Sequence, residues 1–281
     1  MITSTRILRA VVAAASLSAA GPPAHAADHT NLEDGLPVTI EDAYPIKQGA
    51  IEVQAYGQFD RTHKDRRGPN RFTMVPRIEY GAFQNFQLSV EAPYMLGNAS
   101  MTDQGSFRAK GLYNFNSEDL WMPALSGAVG VIQPYGSGAG GTETELKFIA
   151  TKSIGTIDPY GSSPYSYVPR SLHFNASWFH NYSPLKGLNP ERRDRYRIGV
   201  GYSQPITNDL VAVADIFRET DRDKGKATNL AELGGRYQLD PQTVISAAAG
   251  VGFGRDRSEK FRAVVGLQHT LSFPYRFSPP D

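Results

Sequence analysis

Side chains alternate between apolar and polar along most of this chain, and no stretch is apolar for long enough to cross a membrane as a helix. The clearest alternation is FRAVVGLQHTLSF at 261–273. Phe261, Ala263, Val265, Leu267, His269, Leu271 and Phe273 form one set, and Arg262, Val264, Gly266, Gln268, Thr270 and Ser272 form the other. Successive strand side chains point to opposite faces, so the segment has one nearly continuous apolar face and one mostly polar face. A tilted strand crosses a bilayer in roughly 9–11 residues, whereas a spanning helix needs about 18 or more consecutive apolar ones. If the chain enters a membrane it must do so as a closed β-barrel, because backbone polar groups in lipid have to be satisfied internally.

The N-terminus reads as an export leader. Arg6 and Arg9 supply positive charge, Ala10–Ala20 is a short apolar run, and Ala24-His25-Ala26 is a small-residue cleavage site, so residues 1–26 are assigned to a signal peptide. Residues 27–49 are acidic, contain Pro37 and Pro45, and lack sustained alternation, which predicts an arm lying in the periplasm or folded into a lumen as a plug. Residues 50–273 form the predicted barrel and 274–281 a tail. Cysteine is absent, which excludes disulfides and thiolate metal sites. Lys plus Arg is 29 against 28 for Asp plus Glu, so no charge surplus points to a nucleic-acid partner.

Beyond the arm, about twelve period-two segments follow, the even count expected of bacterial barrels. Ala124–Tyr135 is apolar on both faces, so alternation does not set its register. Ile154–Arg170, with Pro159, Pro164, Pro169 and three tyrosines, breaks the rhythm. The links around Lys64–Arg67, Glu191–Asp194, Asp221–Lys226 and Arg255–Lys260 are long and charged, while those near Gln84, Thr207 and Asp240 are short. Longer extracellular loops alternating with short periplasmic turns are expected of an antiparallel, up-and-down transmembrane β-barrel. Phe72, Tyr80, Phe107, Phe115, Tyr196 and Tyr237 are among the aromatics predicted near strand ends on the outer face, where interfacial girdles lie. The competing fold is a soluble periplasmic β-sandwich that binds a ligand. It gives no reason for long charged links to alternate with short ones.

The terminal strand, ending in the aromatic Phe273, resembles the closing strand of bacterial outer-membrane barrels, which the insertion machinery of that class reads as a signal. LEDGLPVTIEDAYPIKQG, RIEYGAFQNFQLSVEAPYMLG and LYNFNSE followed by WMPALS resemble transporter-like barrels related to the meta-pathway phenol-degradation outer-membrane family. The resemblance implies an outer-membrane location, contact with outer-membrane lipid, and passage of small compounds, aromatic or hydrophobic ones included. It carries over no binding residue.

The polar face of the predicted strands holds Glu52, Arg77, Glu79, Glu91, Arg108, Lys110, Glu145, Lys147, Arg197, Asp215, Glu232, Arg236 and Arg262, the candidate lumen-lining set, together with Asp60, Arg195 and Glu219. Their signs balance. A selective pore is expected to carry a surplus of one sign at its constriction, whereas balanced charge points to cross-strand ion pairs filling a narrow lumen. About twelve strands enclose more space than an eight-stranded barrel and less than a sixteen-stranded porin.

No enzyme chemistry is indicated. His173, Asn175 and Ser177 share one strand face, but residues two apart on a strand lie about 6.5–7 Å apart, so His173 and Ser177 are out of hydrogen-bond reach. His29, His63, His180 and His269 are dispersed without metal-ligand spacing. The glycine-rich 136–142 lacks the Gly-Lys-Ser/Thr and helix of a phosphate-binding loop. The sequence therefore predicts neither cofactor nor metal. It predicts a barrel passing small molecules, with a closed structural or adhesin-like barrel as the alternative.

Overall fold

The computed structural model describes residues 27–62, 70–96, 105–136, 140–157, 168–187, 190–222, 224–254 and 259–271. The assigned leader, the C-terminal tail, Phe273, His63 and the Lys64–Arg67 link lie outside the described residues. The described residues are strand, turn and one irregular segment, 27–49.

The strands are β1 (Ile51–Thr62), β2 (Asn70–Phe83), β3 (Phe86–Glu91), β4 (Tyr94–Leu96), β5 (Gly105–Asn116), β6 (Ala124–Tyr135) and β7 (Glu143–Ile157). They continue as β8 (Val168–Asn181), β9 (Asp194–Pro205), β10 (Leu210–Thr220), β11 (Ala227–Asp240), β12 (Thr243–Gly252) and β13 (Glu259–Leu271). Each pairs antiparallel with its sequence neighbour, except that β3 and β4 each pair with β2 and β5 and not with one another, and β1 pairs with β13 from Ile51↔Leu271 to Asp60↔Arg262, which closes the barrel. Closure leaves no unpaired sheet edge, the condition for placing a sheet in lipid. β3 and β4 occupy a single place between β2 and β5, so the wall is that of a 12-strand barrel. The break falls at Ala92-Pro93, where proline has no N–H to give to the ladder.

Alternation sets the two faces. On β13, Val265 and Leu267 are exposed outside, at 62% and 40%, while Val264, Gln268 and Thr270 are buried inside. Ile78, Leu88, Val129, Ile198 and Leu233 continue the exposed apolar exterior, and Phe72, Tyr80, Phe107, Phe115, Tyr196 and Tyr237 are exposed with it. An uninterrupted apolar exterior around a polar interior is the inverse of a soluble protein and fits lipid outside. β6, whose register alternation did not set, turns Ala124, Ser126, Ala128 and Ile132 inward and Val129 and Val131 outward. Ala124 and Ala128 form an apolar cluster with Leu112, Ile149 and Ala43. Ile154–Arg170 is less of an interruption than the sequence indicates, since β7 runs on to Ile157 and β8 starts at Val168.

Candidate functional site: the filled lumen

Residues 27–49 form an irregular segment looped inside the barrel: Asp42 N donates to Leu32 O at 3.1 Å, so the segment folds back on itself, and both its ends bond at the short-turn end, Ala27 N to Pro241 O at 2.8 Å and Gly49 N to Gly81 O at 2.6 Å. Leu32, Leu36, Val38, Ile40 and Ala43 are each at most 1% exposed. Leu32 and Val38 pack on Val211 and Val213, and Leu36 packs with Tyr56, Val75 and Val264. Inward glycines make room for the larger side chains. A Cβ on Gly201 would sit 2.9 Å from Ile40 Cγ2, one on Gly199 2.9 Å from Ile40 Cδ1, and one on Gly266 2.5 Å from Leu36 Cδ1.

A peptide looped inside a barrel brings N–H and C=O groups that must be paired. Wall side chains pair them. Asp215 Oδ2 accepts from Ile40 N at 3.0 Å, and Glu232 Oε2 accepts from Thr39 N at 3.0 Å and Thr39 Oγ1 at 2.7 Å. Asn175 binds Glu41 twice, its Oδ1 accepting from the backbone N at 3.0 Å and its Nδ2 donating to the carbonyl at 2.7 Å. Arg77 Nη2 donates to Asp34 O at 2.6 Å, Arg236 Nη1 to Leu36 O at 3.1 Å, and Asn114 Nδ2 to Ala43 O at 2.9 Å. Thr151 Oγ1 accepts from Ala43 N at 2.9 Å, and Gln87 Oε1 from Ile46 N at 2.8 Å.

Two carboxylates of the segment meet the wall's cations. Glu41 is reached by Lys110 Nζ at 2.7 Å and by Lys147 Nζ at 2.6 Å. Asp34 lies 3.3 Å from Arg197 Nη1, 3.4 Å from Lys147 Nζ and 3.6 Å from Lys110 Nζ. Burial alone would raise both carboxyls, but Lys147, Lys110, Arg197 and Arg77 hold Asp34 well below the usual carboxylate range, and Lys110 and Lys147 hold Glu41 below it. Asp42 goes the other way. Burial pushes it well above its ordinary value, and Glu33 and Asp28 add to the rise, against hydrogen bonds from the Leu32 and Tyr44 amides.

Every residue of the polar set named from sequence is buried or half-buried. Part of that set pairs across strands. Glu91 takes Arg77 at 2.7 Å and Arg108 at 2.9 Å, Arg262 takes Asp60 at 2.9 Å as well as Glu259 of its own strand at 2.6 Å, and Glu219 takes Arg197 at 2.7 Å together with Arg195. Arg195 also stacks on the buried Phe179 ring, 3.7 Å from its centroid. The others do not pair with one another as balanced charge implied. Lys110, Lys147, Asp215, Glu232 and Arg236 bind the 27–49 segment, and Glu145 Oε1 has no hydrogen-bond partner. Composition hides this division because opposite charges on separate strands look the same whether they meet directly or through an inserted peptide.

His173, Asn175 and Ser177 are buried inward, and each answers to a different neighbour. His173 lies between Thr151 Oγ1 at 3.1 Å and Ser203 Oγ at 2.9 Å, Asn175 holds Glu41, and Ser177 Oγ has no partner. Sequence reasoning did not find Ser203, which is remote from His173 and is brought to it by the β8–β9 register, where it lies opposite Ser171. A cavity of about 280 Å³ borders this pair at the end of the barrel that carries the short turns, lined also by Asp28, Asn31, Asp42, Lys47 and Glu52.

No protein-family model matches the sequence, and no curated protein matches it. Solved structures do. An outer-membrane channel from Pseudomonas putida F1 superposes with a TM-score of 0.59 at 11% identity, covering 82% of this chain and 98% of that one. The NanC porin gives 0.53 at 10% identity over 79% of this chain and 100% of that one, and the KdgM porin 0.51 at 10% identity over 78% and 99%. At this identity the likeness is one of fold: a closed antiparallel β-barrel.

Proposed function

We propose that the barrel is a passive channel for small molecules and that the 27–49 segment is the plug in its lumen. The observation that carries this reading is how the segment is held. Between backbone bonds at its two ends, Ala27 N to Pro241 O and Gly49 N to Gly81 O, wall side chains hold it by hydrogen bonds and ion pairs, and among the described residues it joins no strand ladder, so withdrawing its interior loop breaks none of the pairings that close the barrel. A wall that stays closed while its filling leaves becomes a polar passage lined by Glu52, Arg77, Glu79, Glu91, Arg108, Lys110, Glu145, Lys147, Arg197, Asp215, Glu232, Arg236 and Arg262. The family resemblance in the sequence supports aromatic or hydrophobic compounds as solutes.

The burial of Leu32, Leu36, Ile40 and Ala43 favours a second reading, a structural barrel whose lumen stays shut. Single-channel conductance in a planar bilayer separates the two. The protein beginning at residue 27 is expected to give small, intermittent steps and the same protein lacking 27–49 larger, sustained ones. Silence from both, with insertion verified, leaves the closed barrel.

A further inference from the structure

Glu52 of β1 and Glu79 of β2 are direct cross-strand partners, and both face inward. Like charges directly opposite on neighbouring strands destabilise a sheet. The 27–49 segment then adds a third carboxylate, Glu33. One oxygen from each of the three lies within 4.8 Å of the others, and Glu33, Glu52 and Glu79 are 3%, 4% and 1% exposed.

The protein's own donors answer little of this charge. Glu52 accepts from Gln268 Nε2 at 2.5 Å and Thr270 Oγ1 at 3.2 Å, and Glu79 accepts from Gln54 Nε2 at 3.2 Å, all neutral groups. Arg77 Nη1 stands 3.9 Å from Glu79 Oε1, while the hydrogen bonds of that guanidinium go to Glu91, Gln54, Tyr56 and Asp34. Arg236 donates to Leu36 O and Gln268 Oε1. Glu33 Oε1, buried among them, has no hydrogen-bond partner. Buried carboxylates without partners are costly, so the cluster has to be balanced by protons or by a cation.

We propose that Glu33, Glu52 and Glu79 bind a divalent hard cation of the calcium type, which ties the N-terminal segment to β1 and β2. The donor set is all oxygen, the choice of hard cations and not of zinc or copper. Three carboxylates from three separate elements make a flexible cage, which suits calcium better than the rigid octahedron of magnesium. Glu52 also borders the cavity at the short-turn end, where Asp28, Asn31 and Asp42 offer further oxygens and Lys47 is the competing cation. That cavity supplies an approach for the ion and room for its waters. The inference concerns how the segment is anchored, and it stands whether or not solutes pass the barrel.

The test is calcium titration by calorimetry on protein refolded in detergent without lipopolysaccharide, alongside thermal unfolding with calcium or chelator at neutral pH. Saturable binding and a midpoint raised by calcium and lowered again by chelator are expected. Glu33→Gln is expected to weaken binding at least tenfold, whereas Glu145→Gln, which removes a buried acid outside the cluster, leaves it unchanged. Glu52→Gln serves as the second cluster variant if Glu33→Gln folds poorly. Absence of calcium binding by the unmodified protein overturns the proposal, as does equal binding by the cluster variants, or stabilisation by acid alone, which would mean that protons balance the cluster.

Discussion

Glu41 of the N-terminal segment and Lys147 of β7 meet at 2.6 Å inside the barrel, with side chains 4% and 1% exposed. The two are remote in sequence and belong to different parts of the architecture, one to the filling and one to the wall. Breaking an isolated buried pair from one side costs about 3–5 kcal/mol, and here Lys110 still reaches Glu41 at 2.7 Å, so removing Lys147 costs less than that. Lys147→Met is therefore expected to lower the unfolding midpoint in detergent more than the double variant Lys147→Met/Glu41→Gln does. A double variant as unstable as the sum of the singles would show that the pair does not couple segment to wall.

Ile40 lies where β9 has glycines at 199 and 201. Gly201→Val puts methyls into the space that Ile40 occupies, overpacking worth about 1–3 kcal/mol. The expected outcome is a displaced segment within an intact wall. Thermolysin should cut the segment faster while the circular dichroism of the sheet is unchanged. An equally resistant segment would mean that Ile40 repacks without moving the backbone.

The pH response follows from opposed shifts within the segment. Asp34 and Glu41 are held below their ordinary values, so the stability they lend is complete above about pH 4–5 and is lost as the pH falls through their folded values. Asp42 is raised, so its protonated form belongs to the fold and its ionisation opposes docking as the pH climbs through its folded value. The unfolding midpoint should therefore drop steeply on the acid side. Glu41→Gln should flatten that limb, and Asp42→Asn should flatten the decline at higher pH. A Glu41→Gln protein with an unchanged acid limb would place the titration elsewhere.

Val265 is central in β13, faces outward and is 62% exposed. In water an arginine there would cost little. In a bilayer, arginine on the lipid face near the midplane costs about 2–4 kcal/mol. Val265→Arg is expected to impair folding into lipid vesicles by that amount, and a neutral result would argue against lipid contact at this face.

Much of the wall was legible from sequence because strand alternation is local. Ile51–Thr62 and Glu259–Leu271 each declare which residues face lipid by their own period of two, without reference to the strand beside them. The two-faced apolar β6 is the instructive exception. Its inward Ala124 and Ala128 are apolar because the segment brings Ala43 against that part of the wall, a fact no pattern within 124–135 encodes.

The contents of the lumen were decided only in three dimensions. Residues 27–49 have no periodicity to read, since a looped peptide bound by side chains obeys the geometry of its surroundings and not a repeat of its own. Lys110 and Lys147 look like any inward cations until Glu41 and Asp34 arrive between them. Likewise Glu33, Glu52 and Glu79 share no spacing, and closing β1 onto β2 and threading the segment past both is what brings them together. Which face a residue takes is a property of a few neighbours along the chain, whereas the partner it finds there depends on barrel closure and on what the barrel encloses.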